Sequence, residues 1–336
     1  MMKSKRIGYY LQPTPLTDGG FERAIWAEAE GYDDIWFPDG GGMQDAMTLA
    51  AAVAGRTSRA RLATGIVPVF TRPPAVLATS TLAINQIAPG RFVLGLGSST
   101  HAMVDGWYGG QFEKPVTRVR ETVEVTRAML AGEKSQYEGQ TVRSRGFKLA
   151  QPIDGHVPIF LAAMGPKMLQ LCGETADGVI LNNFTPLDRL PYALEQIDIG
   201  AKRVGKRVDD IEIAQRVSVI ETESPDEAEA FFRTEFSFYG STEVYRNIIT
   251  MMGYEDAARG LEEGFRVRNR EQILASVPDE ALRRLYVWGD RAYCHERVRA
   301  FYAAGVDTVV VAPQSPQRDD YQRTAEAFTP KTFSIS

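Results

Sequence analysis

The sequence predicts an α/β protein closed into a (β/α)8 TIM barrel, with insertions after strands 4 and 7. Three observations carry this. A short run rich in β-branched and aromatic residues, a glycine-containing or polar loop and a stretch of helical periodicity recur along the chain. The runs number eight and are nearly continuous in apolar residues, as strands covered on both faces by helices must be. Finally, 336 residues exceed one small domain and suit a barrel with insertions, while 44% hydrophobic and 24% charged residues exclude a disordered, collagen-like or coiled-coil chain. Residues 1–336 are read as a single barrel domain, with 226–304 a helical insertion between strands 7 and 8.

In chain order, the strand candidates are Arg6 to Gln12, Asp34 to Pro38, Arg61 to Val67, Phe92 to Gly97, Pro158 to Ala163, Gly178 to Asn182, Glu212 to Ile220 and Thr308 to Ala312. Helices between them carry terminal signals: Phe21 to Glu30 stops at Gly31, Met47 to Ala54 at Gly55, and Pro74 to Gln86 opens on a proline suited to the first turn. Thr117 to Leu130 reads as a long amphipathic helix, and Tyr137 to Gln140 with Phe147 to Leu149 as a hairpin inserted after strand 4. After strand 7, helical stretches are expected around Asp226 to Phe236, Val244 to Met252, Arg270 to Ser276 and His295 to Ala304. Insertions on that side of a barrel can roof its active site.

A net charge of −5 without a dense basic cluster argues against nucleic acid as a partner. The longest apolar stretches, such as Leu49 to Ala54, fall far short of the roughly 20 residues that span a bilayer, so no membrane association is expected. Cys172 and Cys294 read as isolated thiols, which points to a reducing, cytoplasmic setting.

Barrel chemistry sits just after each strand. Those positions hold Asp39 to Gly42, Pro68 to Arg72, Ser98 to His101, Met164 to Lys167 and Asn183 to Thr185. No HExxH, CxxC, GxSxG or P-loop occurs, and the three histidines are scattered, so no metal site is expected. What stands out is small residues at strand ends, with Ala163-Met164-Gly165-Pro166 opening a helix. Backbone N–H groups and the positive dipole end there suit a phosphate. A planar phosphorylated cofactor fits such a mouth, and would supply the reactive chemistry itself.

Several segments, taken in order, resemble the luciferase-like monooxygenase family, and within it the branch using the deazaflavin coenzyme F420. They are Gly31 to Asp39, Leu62 to Pro68 with Pro73-Pro74-Ala75, Pro89 to Gly97, Gly106 to Gly109, Lys114-Pro115, Pro158-Ile159, Ala162 to Met168 and Ala176-Asp177-Gly178. The resemblance implies a non-proline cis peptide between Gly65 and Ile66, in a bulge that backs the cofactor ring. It places Thr64, Gly65, Ile66, Gly97, Ser98 and Ser99 along the ring, and Ala163, Met164, Gly165, Pro166 and Lys167 at the phosphate-bearing tail. Asp39 matches the family's acidic residue after strand 2. Two positions depart from the dehydrogenases of the family: Gly40 stands where many have histidine, and Thr100 where some have glutamate. Their proton-transfer pair is thus missing, which favours hydride delivery to an enone or imine over oxidation of an alcohol.

Asp39 and His101 are the catalytic candidates. Asp39 can orient cofactor or substrate, or cap the turn after it; His101 can move a proton, or hydrogen-bond within its own loop. Thr100, Trp107, Tyr108 and Asn183 are candidates for the substrate wall, although aromatics also serve packing. The expected activity is hydride transfer between reduced F420 and a small organic substrate. Alternatives are an FMN-dependent monooxygenase and a non-catalytic ligand-binding barrel, and a homodimer is the expected assembly.

Overall fold

The computed structural model describes residues 4–12, 19–39, 42, 44–316 and 321–335. Eight parallel strands form a closed barrel: β1 (Arg6–Tyr10), β2 (Asp34–Phe37), β3 (Arg61–Thr64), β4 (Phe92–Gly97), β5 (Ile159–Ala162), β6 (Gly178–Leu181), β7 (Glu212–Glu221) and β8 (Thr308–Pro313). Each pairs with the next, and β8 returns to β1. This is the (β/α)8 barrel that the apolar runs predict. Gly40, whose place in the second loop was noted above, lies outside the described residues.

Alternation along the strands sorts the inward side chains into layers. At the N-terminal end, Arg61 donates to Asp34 and Glu212, each at 2.6 Å, and Thr308 donates to Glu212 at 2.6 Å. Above this ionic plug lies an apolar layer of Trp36, Ala63, Val93, Phe160, Ile180, Ala214 and Val310. The next inward positions, at the C-terminal mouth, hold Tyr10, Gly97, Ala162, Asn182 and Arg216, and small residues there leave an open space.

Between β4 and β5 the helix Pro115–Leu130 is followed by a hairpin of Gln136–Glu138 and Arg143–Arg145. Its return strand starts earlier than the Phe147 to Leu149 of the sequence reading. Glu121 explains the early turn: its buried carboxylate accepts from the N–H groups of Gln140, Thr141 and Val142 at 2.7, 2.8 and 2.8 Å. Phe147 and Leu149 pack on the barrel core instead.

After β7 come helices Pro225–Gly240, Glu243–Met251, Glu255–Arg266, Arg270–Ala275 and Asp279–Leu285, then a strand, Val287–Gly289, that extends the sheet beside the end of β7. Glu255–Arg266 was not foreseen, although Ala257, Ala258, Leu261 and Gly264 recur at helical spacing on its inward face. These helices have their own core around Phe232, Phe236, Ile249, Leu261, Tyr286 and Trp288. The helix Arg291–Ala303 instead contributes Val298, Phe301 and Tyr302 to the barrel's core.

Candidate active site

The mouth of the barrel holds a cavity of about 570 Å³. One wall is the broken third strand. β3 ends at Thr64, the Gly65–Ile66 peptide is cis, and pairing with β4 resumes at Val67 and Pro68. The break interrupts the ladder, and Thr64 repairs it: its hydroxyl donates to Gly95 O at 2.9 Å and accepts from Gly95 N at 2.8 Å. Only glycine fits at 95, since a Cβ would lie 1.7 Å from Thr64 O. Thr64 is therefore buried behind the bulge and not on the cavity, whereas Gly65 and Ile66 line it.

The loop after β4 supplies Gly97, Ser98, Ser99 and Thr100 to the cavity. Ser99 adopts a positive φ of 61° and its hydroxyl donates to Met103 Sδ at 3.2 Å, so this turn is locally fixed. After β5, Ala163, Met164 and Gly165 line the cavity, and Pro166 opens the helix Pro166–Thr175 with no side chain capping its first turn. A side chain at Gly165 would meet no atom within 4 Å, so the helix start faces open space. Lys167 is exposed on the first turn.

Asp39 lines the cavity, but its carboxylate is 2.5 Å from Arg72, which also binds Asp45. Burial pushes the Asp39 carboxyl above its ordinary value, opposed by the Arg72 guanidinium. His101 sits outside on the rim, with its side chain 77% exposed and Nε2 3.0 Å from Asp105. Trp107 and Tyr108 are exposed and not on the cavity. Asn183 is turned away from it: its amide donates to Ser218 Oγ at 2.9 Å and its oxygen accepts from Ser218 N at 3.2 Å. Its neighbour Asn182 takes the cavity position and donates to Tyr245 at 3.3 Å.

Among the lining residues that escaped the sequence reading are Tyr10, Arg216, Tyr239 and Tyr245. Arg216 had a signal. Period-two alternation from Glu212 puts Ala214 and Arg216 on the same inward face, and a charge inside a barrel strand demands explanation. The two tyrosines come from the roof helices Pro225–Gly240 and Glu243–Met251, whose docking no local pattern specifies.

A closed barrel with a broken third strand, a small-residue mouth, an open helix start and an inserted roof defines a (β/α)8 barrel with a covered cavity at its C-terminal mouth. The chain belongs to the luciferase-like monooxygenase family, whose sequence model matches residues 16–308. It is 30% identical over 298 residues to the 5,10-methylenetetrahydromethanopterin reductase of Methanolobus tindarius, covering 87% of this chain and 90% of that one. It is 28% identical over 301 residues to the F420-dependent glucose-6-phosphate dehydrogenase of Nocardia farcinica, covering 84% and 87%. In fold it is similar to the coenzyme F420-dependent tetrahydromethanopterin reductase of Methanopyrus kandleri, with a TM-score of 0.79, 24% identity and coverage of 97% and 98%.

Proposed function

We propose that this protein is an oxidoreductase that moves a hydride between coenzyme F420 and a small organic substrate. The observation that carries the reading is the shape of the mouth: Gly65, Gly97, Ala162 and Ala163 keep one side free of bulk beside a helix start that opens on empty space. Those residues fit a flat ring with a phosphate tail. Gly65, Ile66, Gly97, Ser98 and Ser99 would hold the ring, and Met164, Gly165 and the helix starting at Pro166 the phosphate, with Lys167 near it. When bound, F420 supplies a carbon that gives or takes a hydride.

The chain's own residues position and shield. Arg72 ties Asp39 to Asp45, so the loops after β2 and β3 stand together beside the bulge. Val244, Ile248 and Met251 cover the cavity with apolar side chains and exclude water. Among the described residues, no histidine lines the cavity, and its one carboxylate is ion-paired. A site without a free base near neutral pH supports delivery of hydride to an enone or imine more than oxidation of an alcohol. The same reading carries a cytoplasmic homodimer: both cysteines are buried and unbridged, and helix Pro74–Ile87 exposes Val76 and Ile87.

The decisive experiment is a thermal titration with F420 and with FMN, because a ligand of the native state alone raises the melting temperature. F420 should raise it and FMN should not; a rise with FMN alone overturns the assignment. Reduced F420 should then be oxidised faster with a cyclic enone or imine than the oxidised form is reduced by a secondary alcohol. Sedimentation at the monomer mass would remove the dimer.

A further inference from the structure

Arg216 stands in the uppermost inward layer of β7 and lines the cavity. Among the described residues, its guanidinium makes no hydrogen bond and no ion pair, and its Nε is buried without a partner. The Tyr10 ring lies 4.7 Å from its Cζ, and Tyr239, Glu235 and Tyr286 also act on its charge. Around it lie further polar atoms in the same condition: Glu235 Oε2 and the Tyr286 hydroxyl are buried without partners. Burial pushes the Glu235 carboxyl above its ordinary value against the pull of Arg216. Guanidinium donors left without hydrogen-bond acceptors inside a protein are unfavourable, and native proteins satisfy such groups. A fork of donors opening on a cavity is complete when a ligand brings the acceptor.

Strand order says which ligand. β7 lies four strands from β3 in either direction around the barrel, so Arg216 is on the wall opposite the Gly65–Ile66 bulge. A ring backed by the bulge leaves Arg216 on the far side, where the substrate enters. Tyr10 meets it with its ring face, Tyr239 and Tyr245 line the same cavity, and Ile248 and Met251 add apolar cover. One guanidinium matches the two oxygens of a planar carboxylate, whereas a phosphate dianion would keep excess charge in an apolar enclosure.

We propose that Arg216 anchors a carboxylate of the substrate, with the Tyr239 and Tyr245 hydroxyls beside it, so that the enzyme acts on small unsaturated acids whose apolar body lies toward the bulge. The inference rests on the oxidoreductase reading only in treating this wall as the substrate side.

Two matched probe pairs test it by calorimetric titration of the full chain: cinnamate against cinnamamide, and 2-naphthoate against 2-naphthamide. The wild type should bind at least one acid more tightly than its amide, and Arg216→Gln should weaken that acid by about 30-fold or more. Arg216→Lys, which keeps the charge and loses the fork, should retain part of the preference. A wild type with no preference for either acid, or a preference that survives Arg216→Gln, overturns the proposal. F420 titrated into the same samples separates the two readings. Cofactor binding without acid preference removes the anchor alone, and acid preference without cofactor binding removes the F420 assignment alone.

Discussion

At the scale of single residues, the charges that matter most for folding lie at the opposite end of the barrel from the chemistry. Burial would raise the Glu212 carboxyl, but hydrogen bonds and charge from Arg61, with Thr308, outweigh it and hold it below the ordinary 4.5. A depressed carboxyl adds stability above its unfolded value and loses it as the pH falls through the folded one. Stability should therefore drop as the pH is lowered below about 4.5. Arg61→Met should cost about 3–5 kcal/mol at pH 7, since it strands Glu212, while Asp34 keeps its pairing with Arg6. That deficit should shrink in acid, where the stranded Glu212 carboxylate is protonated. Urea unfolding of both proteins at pH 7 and pH 4 measures it; a deficit independent of pH would show the plug to be packing and not charge. Thr64 belongs to the same scale. The sequence places it at a strand end, where a cofactor contact is a fair expectation, yet its hydroxyl serves both backbone groups of Gly95. Thr64→Val should destabilise by about 1–3 kcal/mol by leaving those groups unpaired, read from the shift in urea midpoint.

At the scale of elements, what was legible follows from how each element is buried. The barrel strands lie between an inward layer and a helical coat, so each shows as an unbroken apolar run, and their ends mark the mouth. The loops after β4 and β5 could therefore be found from sequence, and Gly97 to Thr100 and Ala163 to Gly165 do line the cavity. Side-chain direction was harder. Asn182 and Asn183 both end β6, and only the bond of Asn183 to Ser218 on β7, distant in sequence, decides which faces inward. The hairpin register likewise depends on Glu121, a residue of the preceding helix. Glu121→Gln keeps the shape and loses the charge that three N–H groups and the Thr141 hydroxyl point at. It should cost about 1.5–3 kcal/mol, with amide exchange accelerated first at residues 139–142. Equal acceleration throughout the barrel would place the effect elsewhere.

At the scale of the whole molecule, the helices after β7 have a hydrophobic core of their own beside the outer core and inner layer of the barrel. Phe184, in the loop after β6, is a barrel residue inside the core of those helices, as is Ile220 of β7. Its ring lies 5.8 Å from Phe236, 5.2 Å from Tyr239 and 4.8 Å from Tyr245. Met164, before the open helix start, packs on the same core. The roof is thus fastened to the barrel through residues that adjoin the site, so ligand binding and roof docking are linked by shared contacts. Phe184→Ala removes that fastening and should cost about 3–5 kcal/mol of local packing. Because the barrel's core is separate, the loss should fall on the roof. Hydrogen exchange should rise in residues 225–251 while β1 to β4 stay protected, and affinity for any cavity ligand should drop with it. If exchange rises equally in the barrel strands, the two cores unfold as one unit and the roof is no independent element.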